Sequence, residues 1–249
     1  MLTQPLLDKL TQLRMPAFRA ALEEQLGNPQ YADLSFEDRL GLLVDQECTH
    51  RDSNRLQRRL NAAGLQLPAT IEDIDLSPSR GIDRRLVLQL AQGEWIGQHL
   101  NILILGATGV GKTFLACALA HGACRHDYTV RYHRTSRLLH QTALSHADGS
   151  YSKLLDALAR VQLLVLDDWL RDPLTRIQSQ HLLEILDDRY GRSSTTIVTQ
   201  VPVAEWHARF PDPTIGDAIL DRLVHNAHRL NLSGESRRKS NSSLTMPTT

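Results

Sequence analysis

The stretch GATGVGKT, Gly106–Thr113, restricts what this chain can fold into more than any other part of it. It fits the pattern of a glycine, four free positions and then Gly-Lys-Ser/Thr. The apolar run NILILG (Asn101–Gly106) leads into it, and a helical stretch, Lys112–Arg125, follows. Glycines let backbone N–H groups turn inward, and a helix N-terminus adds partial positive charge. Strand, turn and helix together therefore make a cradle for phosphate oxygens. Gly106, Ala107, Thr108, Gly109, Val110 and Gly111 form its wall. Lys112 is placed to reach the β- and γ-phosphates of ATP, and the Thr113 hydroxyl to ligate Mg²⁺.

Such a turn needs a buried strand before it, and the chain beyond Asn101 supplies more of them. Short apolar runs, YTVRYHR, LLVLDD and STTIVTQ, are separated by helical stretches at Lys112–Arg125, around Ser136–Leu144, and at Ile177–Tyr190. Continuous apolar strands alternating with helices predict a parallel sheet covered on both faces, an α/β fold. The run LLVLDD ends in two adjacent carboxylates, Asp167 and Asp168. With a phosphate loop upstream, Asp167 is expected to hold Mg²⁺ through water and Asp168 to polarise the attacking water. Asp168 stands where many P-loop ATPases carry the longer Glu, which predicts weak hydrolysis until something repositions the site.

Before the sheet the chain is helical. LLDKLTQLR puts Leu6, Leu10 and Leu13 on one face, Pro16 suits the first turn of a helix that stops at Gly27, and SFED (Ser35–Asp38) caps a long helix to about Ala62. A Pro/Ser/Asp/Gly-rich connector follows, then a helical pattern from Ile82 to about Ile96. We divide the chain into a helical N-terminal domain, residues 1–68, an ATPase core, 69–238, and a frayed tail, 239–249.

Composition sets further limits. With 28 Lys+Arg against 28 Asp+Glu, any nucleic-acid role rests on a local basic face, not on overall charge. Cys48, Cys117 and Cys124 lack metal-site spacing and read as reduced thiols. His121, His126, His225 and His228 read as packing or surface residues, because no cysteine or acid completes a metal site around them. No apolar run reaches membrane-spanning length and the N-terminus lacks a signal-peptide layout, so the chain is expected to be soluble and cytoplasmic, with no membrane partner.

Six segments, LSFEDRLGLLVDQE, IEDIDLSPSRGIDR, TGVGKTFLACALAHGACR, LSHADGSY, LEILDDRYGRSSTTIVTQVPVAEWH and DPTIGDAILDRLVHNAHRLNLSGESRRK, resemble the IstB family. These are ATP-binding helpers of insertion-sequence transposition, relatives of the DnaC-type helicase loaders within the AAA+ superfamily. The resemblance implies an AAA+ core behind a small helical domain, ATP-dependent self-association into a homo-oligomer on duplex DNA, and a cognate transposase as partner. It also implies roles for single residues. Gln200, or Thr199, is the sensor that feels the γ-phosphate. Arg222 in AILDRL is the arginine finger acting on a neighbouring subunit's ATP, with Arg189 and Arg192 as rivals and an ion pair to Asp217 or Asp221 as the structural alternative. The chain departs from the family at Leu170, where glycine is usual, and too few residues follow Arg222 for a full helical lid. Arg238 reads as a solvated tail charge rather than a nucleotide contact.

Arg51, Arg55, Arg58 and Arg59 fall on one helix face and could straddle DNA phosphates, giving a salt-dependent affinity. The alternative is a solvated face paired with Glu47 and Asp52. Aromatic residues make up only 5% of the chain, which argues against a stacking platform for single strands. Three other functions fit a phosphate loop: a replicative helicase loader, a small-molecule kinase, and a nucleotide-gated assembly module that hardly hydrolyses.

Overall fold

The computed structural model describes residues 3–235, and the chain divides between Arg58 and Arg59 into two compact units. The first unit is helical, with α1 (Thr3–Gln12), α2 (Pro16–Gly27) and the long α3 (Phe36–Ala63), whose final residues belong to the second unit. Pro16 sits in the first turn of α2, where its missing N–H leaves no bond unmade. Ser35 precedes α3; its hydroxyl accepts from the Asp38 N–H at 3.1 Å and donates to the Asp38 carboxylate at 2.7 Å. The buried stripe of α1 is Leu7 and Leu10, while Leu6 and Leu13 are exposed. The expected face is thus turned by roughly 60° about the helix axis, because packing rather than leucine spacing selects the side that is covered. Glu47 of α3 is buried and accepts from the Ala17 and Phe18 N–H groups at 3.0 and 3.1 Å, so a carboxylate satisfies the open N-terminus of α2.

After the end of α3 and a connector, the second unit continues with α4 (Arg84–Ala91) and α5 (Glu94–Gly97). The helix predicted over Ile82–Ile96 is interrupted at Gly93, which turns left-handed at φ +78°. Then come β1 (Asn101–Gly106), α6 (Lys112–Arg125), β2 (Val130–Arg134), α7 (Thr135–Asp148), α8 (Tyr151–Arg160) and β3 (Leu163–Asp167). The unit ends with α9 (Arg176–Arg189), β4 (Ser194–Thr199), α10 (Pro213–Val224) and β5 (Ala227–Leu232). All pairings are parallel and the strand order is β2-β3-β4-β1-β5. Strands β3 and β4 are buried along their whole length, as apolar runs covered by helices on both faces should be. Helix α8 and strand β5 have no counterpart among the elements expected from sequence. β5 is an edge strand whose sequence AHRLNL alternates buried leucines with exposed polar residues, so it lacks the apolar run that marks the inner strands.

This topology sets the site. The chain reverses direction of winding between β1 and β4, and a crevice opens at the carboxyl ends of the strands there. Gly106 closes β1 at φ +150°, and a Cβ on it would run into the Leu232 carbonyl of β5. Arg238 and residues 239–249 lie outside the described residues.

Candidate nucleotide site

The crevice at the ends of β1, β3 and β4 holds a cavity of about 610 Å³. The phosphate loop forms one wall and the acid pair the other. The loop runs from β1 into α6, and Gly111 at φ +104° turns the chain into the helix, so the first N–H groups of α6 open toward the cavity. Lys112 Nζ donates to the Ala107 carbonyl at 2.8 Å, folding the ammonium back over the loop. Thr108, Gly109, Gly111, Lys112 and Thr113 line the cavity; Val110 instead turns into the core, where it is buried.

β3 lies two strands from β1, about 10 Å across the sheet, with β4 between them. The first turn of α6 spans that distance. Thr113 Oγ1 donates to Asp167 Oδ2 at 2.8 Å, so the two residues expected to hold Mg²⁺ meet although they stand 54 positions apart. A hydroxyl and a carboxylate are hard oxygen ligands of the kind magnesium takes, and the donor set fits that ion. Asp167 is buried and its lone pairs are well occupied. Oδ1 accepts from the Asp168 N–H at 2.7 Å, Oδ2 also accepts from the Tyr132 hydroxyl at 2.6 Å, and its carbonyl accepts from Thr135 Oγ1 at 2.9 Å. Burial, then the hydrogen bond to Asp167, pushes the Tyr132 phenol far above its ordinary value, so this hydroxyl stays a donor.

Asp168 lines the cavity beside Asp167 and is half exposed. It takes a left-handed backbone, φ +55°, which aspartate tolerates better than most residues. Leu170 follows at φ +51° and is buried. The turn therefore uses the conformation a glycine favours, and the substituted side chain fills the core instead. At the end of β4, Gln200 accepts from the Thr108 hydroxyl of the phosphate loop, which places it against the nucleotide cavity. Thr199 also borders the cavity, but its hydroxyl is buried and donates to the Trp169 carbonyl at 2.7 Å. Of the two sensor candidates, only Gln200 has its polar end at the loop.

The arginines separate. Arg189 is fully buried; it donates to the carbonyls of Leu158, Val161 and Ser194 and to Thr195 Oγ1. Burial pulls its guanidinium down to about 9, still protonated at neutral pH. It is a brace between α8, β4 and α9, and it drops out as a rival to Arg222 because its donors are spent inside the core. Arg222 sits in the last turn of α10, and its carbonyl accepts from Asn101 Nδ2 at 3.0 Å, at the start of β1. The phosphate loop leaves the other end of β1, roughly 20 Å away at strand rise. Arg222 therefore does not serve its own subunit's cavity. It pairs with Asp187 of α9, not with Asp217 or Asp221, and donates to the Ala218 carbonyl at 2.7 Å.

On α3, Arg51 is tied to Glu47 at 2.7 Å and to the Arg14 carbonyl, and Arg59 to Asp127 at 2.6 Å. Arg55 stays exposed beside Asp52 at 3.4 Å, and Arg58 is exposed. The four do not form one free row: two are committed to holding structure.

Sequence reasoning missed Tyr132, Arg134 and Gln66 at this site. Tyr132 and Arg134 sit two apart on β2, on one face of the strand, but Arg131 and His133 beside them are polar as well, so no alternation singled them out. Gln66 lies in a connector and had no signal either.

Among known proteins, the family model described as IstB-like ATP binding protein matches residues 8–245. An insertion sequence ATP-binding protein of Sinorhizobium fredii is 48% identical over 96% of this chain and 98% of its own length. The ATP-binding protein of insertion sequence IS1162 from Pseudomonas fluorescens is 45% identical over 86% of this chain and 95% of its own. The crystal structure of DnaI superposes with a TM-score of 0.58 at 18% identity, covering 71% of this chain and 94% of that one, a likeness of fold. The family model over nearly the whole length, together with a relative 48% identical across 96% of the chain, shows that the chain belongs to the family of IstB-like ATP-binding proteins.

Proposed function

We propose that the protein binds and hydrolyses ATP, assembles through ATP into a homo-oligomer on duplex DNA, and assists an insertion-sequence transposase in choosing or engaging its target. The observation that carries the reading is the meeting of Thr113 and Asp167 at 2.8 Å beside the phosphate loop. The cavity of about 610 Å³ has room for a nucleotide. The loop N–H groups and Lys112 bind the phosphates; Thr113 and Asp167 hold Mg²⁺. When bound, the ion neutralises charge on the β- and γ-phosphate oxygens. Asp168 accepts the proton side of a water aimed at the γ-phosphate, and Gln200 orients that water from β4. Arg222 faces away from its own cavity, which supports its use by a neighbour: released from Asp187, it stabilises the charge that develops on the transferring phosphoryl group.

The relatives' names support the insertion-sequence role over helicase loading, which would pair the same core with a hexameric helicase and single-stranded DNA. Arg55 and Arg58 supply the exposed cations for a backbone contact with DNA, which reads charge rather than sequence. No helix among the described residues is long and apolar enough to cross a membrane. A DNA partner places the protein in the cytoplasm.

The test is ATPase activity of the full chain with and without duplex DNA. Lys112→Ala abolishes nucleotide binding; Arg222→Ala keeps binding and loses turnover. Mixing the two variants restores part of the activity, because each supplies what the other lacks. No recovery in the mixture, with both variants folded, returns Arg222 to a local ion pair. No ATP turnover by the wild type with DNA and transposase present removes the motor reading.

A further inference from the structure

Both carboxylates of the acid pair are linked to one side chain outside the phosphate loop. Tyr132 and Arg134 stand at the end of β2, and Arg134 is in register with Asp167. The Tyr132 hydroxyl is 2.6 Å from Asp167 Oδ2 and 2.8 Å from Gln66 Oε1. Arg134 Nε donates to the same Gln66 oxygen at 2.9 Å and lies 3.9 Å from Asp168 Oδ2. Gln66 comes three residues after α3 ends at Ala63, and its neighbour Leu67 borders the nucleotide cavity.

The geometry divides the work. Thr113 and Tyr132 together occupy both lone pairs of Asp167 Oδ2, and the Asp168 N–H holds Oδ1, so the carboxylate has no freedom to rotate. The Thr113 proton points at the carboxylate, which leaves the hydroxyl lone pairs for a cation. Arg134 presents a more delicate case. At 3.9 Å its Nε is too far from Asp168 for a hydrogen bond. Its hydrogen is spent on Gln66 instead. Without that acceptor the guanidinium is free to close the remaining ångström and occupy the Asp168 oxygen that a water needs, since an ionised partner is a stronger acceptor than an amide.

We propose that Gln66 is a positioning residue of the hydrolytic site: it draws Arg134 away from Asp168, while Tyr132 keeps Asp167 aimed at Thr113. The proposal rests on the nucleotide reading above and adds to it a residue of the connector between α3 and the sheet.

The experiment uses the full chain, a fluorescent ADP analogue with Mg²⁺ or with EDTA, and ATP turnover. Gln66→Leu lowers kcat roughly tenfold, the size of one contact to a charged group, and leaves analogue affinity unchanged. Adding Arg134→Ala to Gln66→Leu restores most of the lost kcat, because the residue that closes on Asp168 is gone. Tyr132→Phe weakens analogue binding several-fold in Mg²⁺ and not in EDTA. A structural loss would lower affinity in both conditions and would not be rescued by a second deletion. If the double variant is no faster than Gln66→Leu, or if all three bind and turn over like wild type, the positioning role is wrong while the nucleotide site stands. If wild type shows no magnesium-dependent binding of the analogue, the underlying site reading fails first.

Discussion

Arg189→Met should cost much of the fold of the second unit and little that is specific to catalysis. The guanidinium is fully buried and donates to three main-chain carbonyls, those of Leu158, Val161 and Ser194, and to the Thr195 hydroxyl. Methionine fills similar space and offers none of these donors. Each buried carbonyl left without a partner costs about 1–3 kcal/mol, so the gross loss is roughly 3–9 kcal/mol. Against that stands the desolvation of the charge itself, several kcal/mol, which the apolar side chain avoids. The net is about 3 kcal/mol, a large part of the roughly 5–15 kcal/mol that domains possess. For a unit of this size it corresponds to a fall in Tm of roughly 6–12 °C. The three tryptophans, Trp95, Trp169 and Trp206, all lie in the second unit, so intrinsic fluorescence during urea and thermal unfolding reads this unit directly. Arg222→Ala in parallel should move Tm by no more than about 3 °C, as expected of a partly exposed ion pair. A stable Arg189→Met protein that melts with the wild type but has lost ATP turnover would refute the brace and return Arg189 to the list of arginine fingers.

Three other outcomes follow from the geometry. Leu170→Gly relieves a left-handed backbone, worth about 1–2 kcal/mol, but empties a core position that costs about 3–5 kcal/mol; urea midpoints should show a net loss of about 2–3 kcal/mol. His121, His133 and His181 are each held below the ordinary histidine value of 6.5, chiefly by burial. The folded state therefore binds fewer protons than the unfolded one just below pH 6.5, and their contribution is complete above that pH and lost as pH falls toward the depressed values. Unfolding midpoints measured from pH 7.5 to 5.5 should decline, and His133→Gln should flatten part of the decline; a midpoint that rises on acidification contradicts the sign. Replacing Arg55 and Arg58 together by Gln should weaken duplex binding and reduce the slope of log affinity against log salt by about 2, whereas an unchanged slope in a fluorescence-anisotropy titration moves the DNA contact elsewhere.

The phosphate loop, the strand that leads into it and the acids that end LLVLDD were legible because each is a local pattern. A glycine spacing, an apolar run and a helical period depend on neighbours along the chain. α6 is found at the residues expected, Lys112–Arg125, and β1 at Asn101–Gly106. The family resemblance pointed to the IstB-like ATP-binding family in the same way, through contiguous segments. Gln200 and Arg222 came from that resemblance, and their own surroundings, polar strand end and charged helix, had no distinguishing pattern.

What tertiary structure alone decided is which of these side chains meet. Strand order puts β4 between β1 and β3, and only that order brings Thr113 across to Asp167 and Gln200 up against Thr108. Four arginines on one face of α3 are alike in sequence, yet Arg51 serves Glu47, Arg59 serves Asp127, and Arg55 and Arg58 stay exposed. Arg222 read as the finger with Arg189 as a rival, and the fold separates them: burial makes Arg189 a brace, and Arg222 lies at the far end of β1. Gln66 carries no local signal at all, since an amide in a connector acquires its role only from the tyrosine and arginine that β2 presents to it. Periodicity along a chain reports which face a residue occupies; the partner waiting on that face is a property of the closed fold, because it comes from positions tens of residues away.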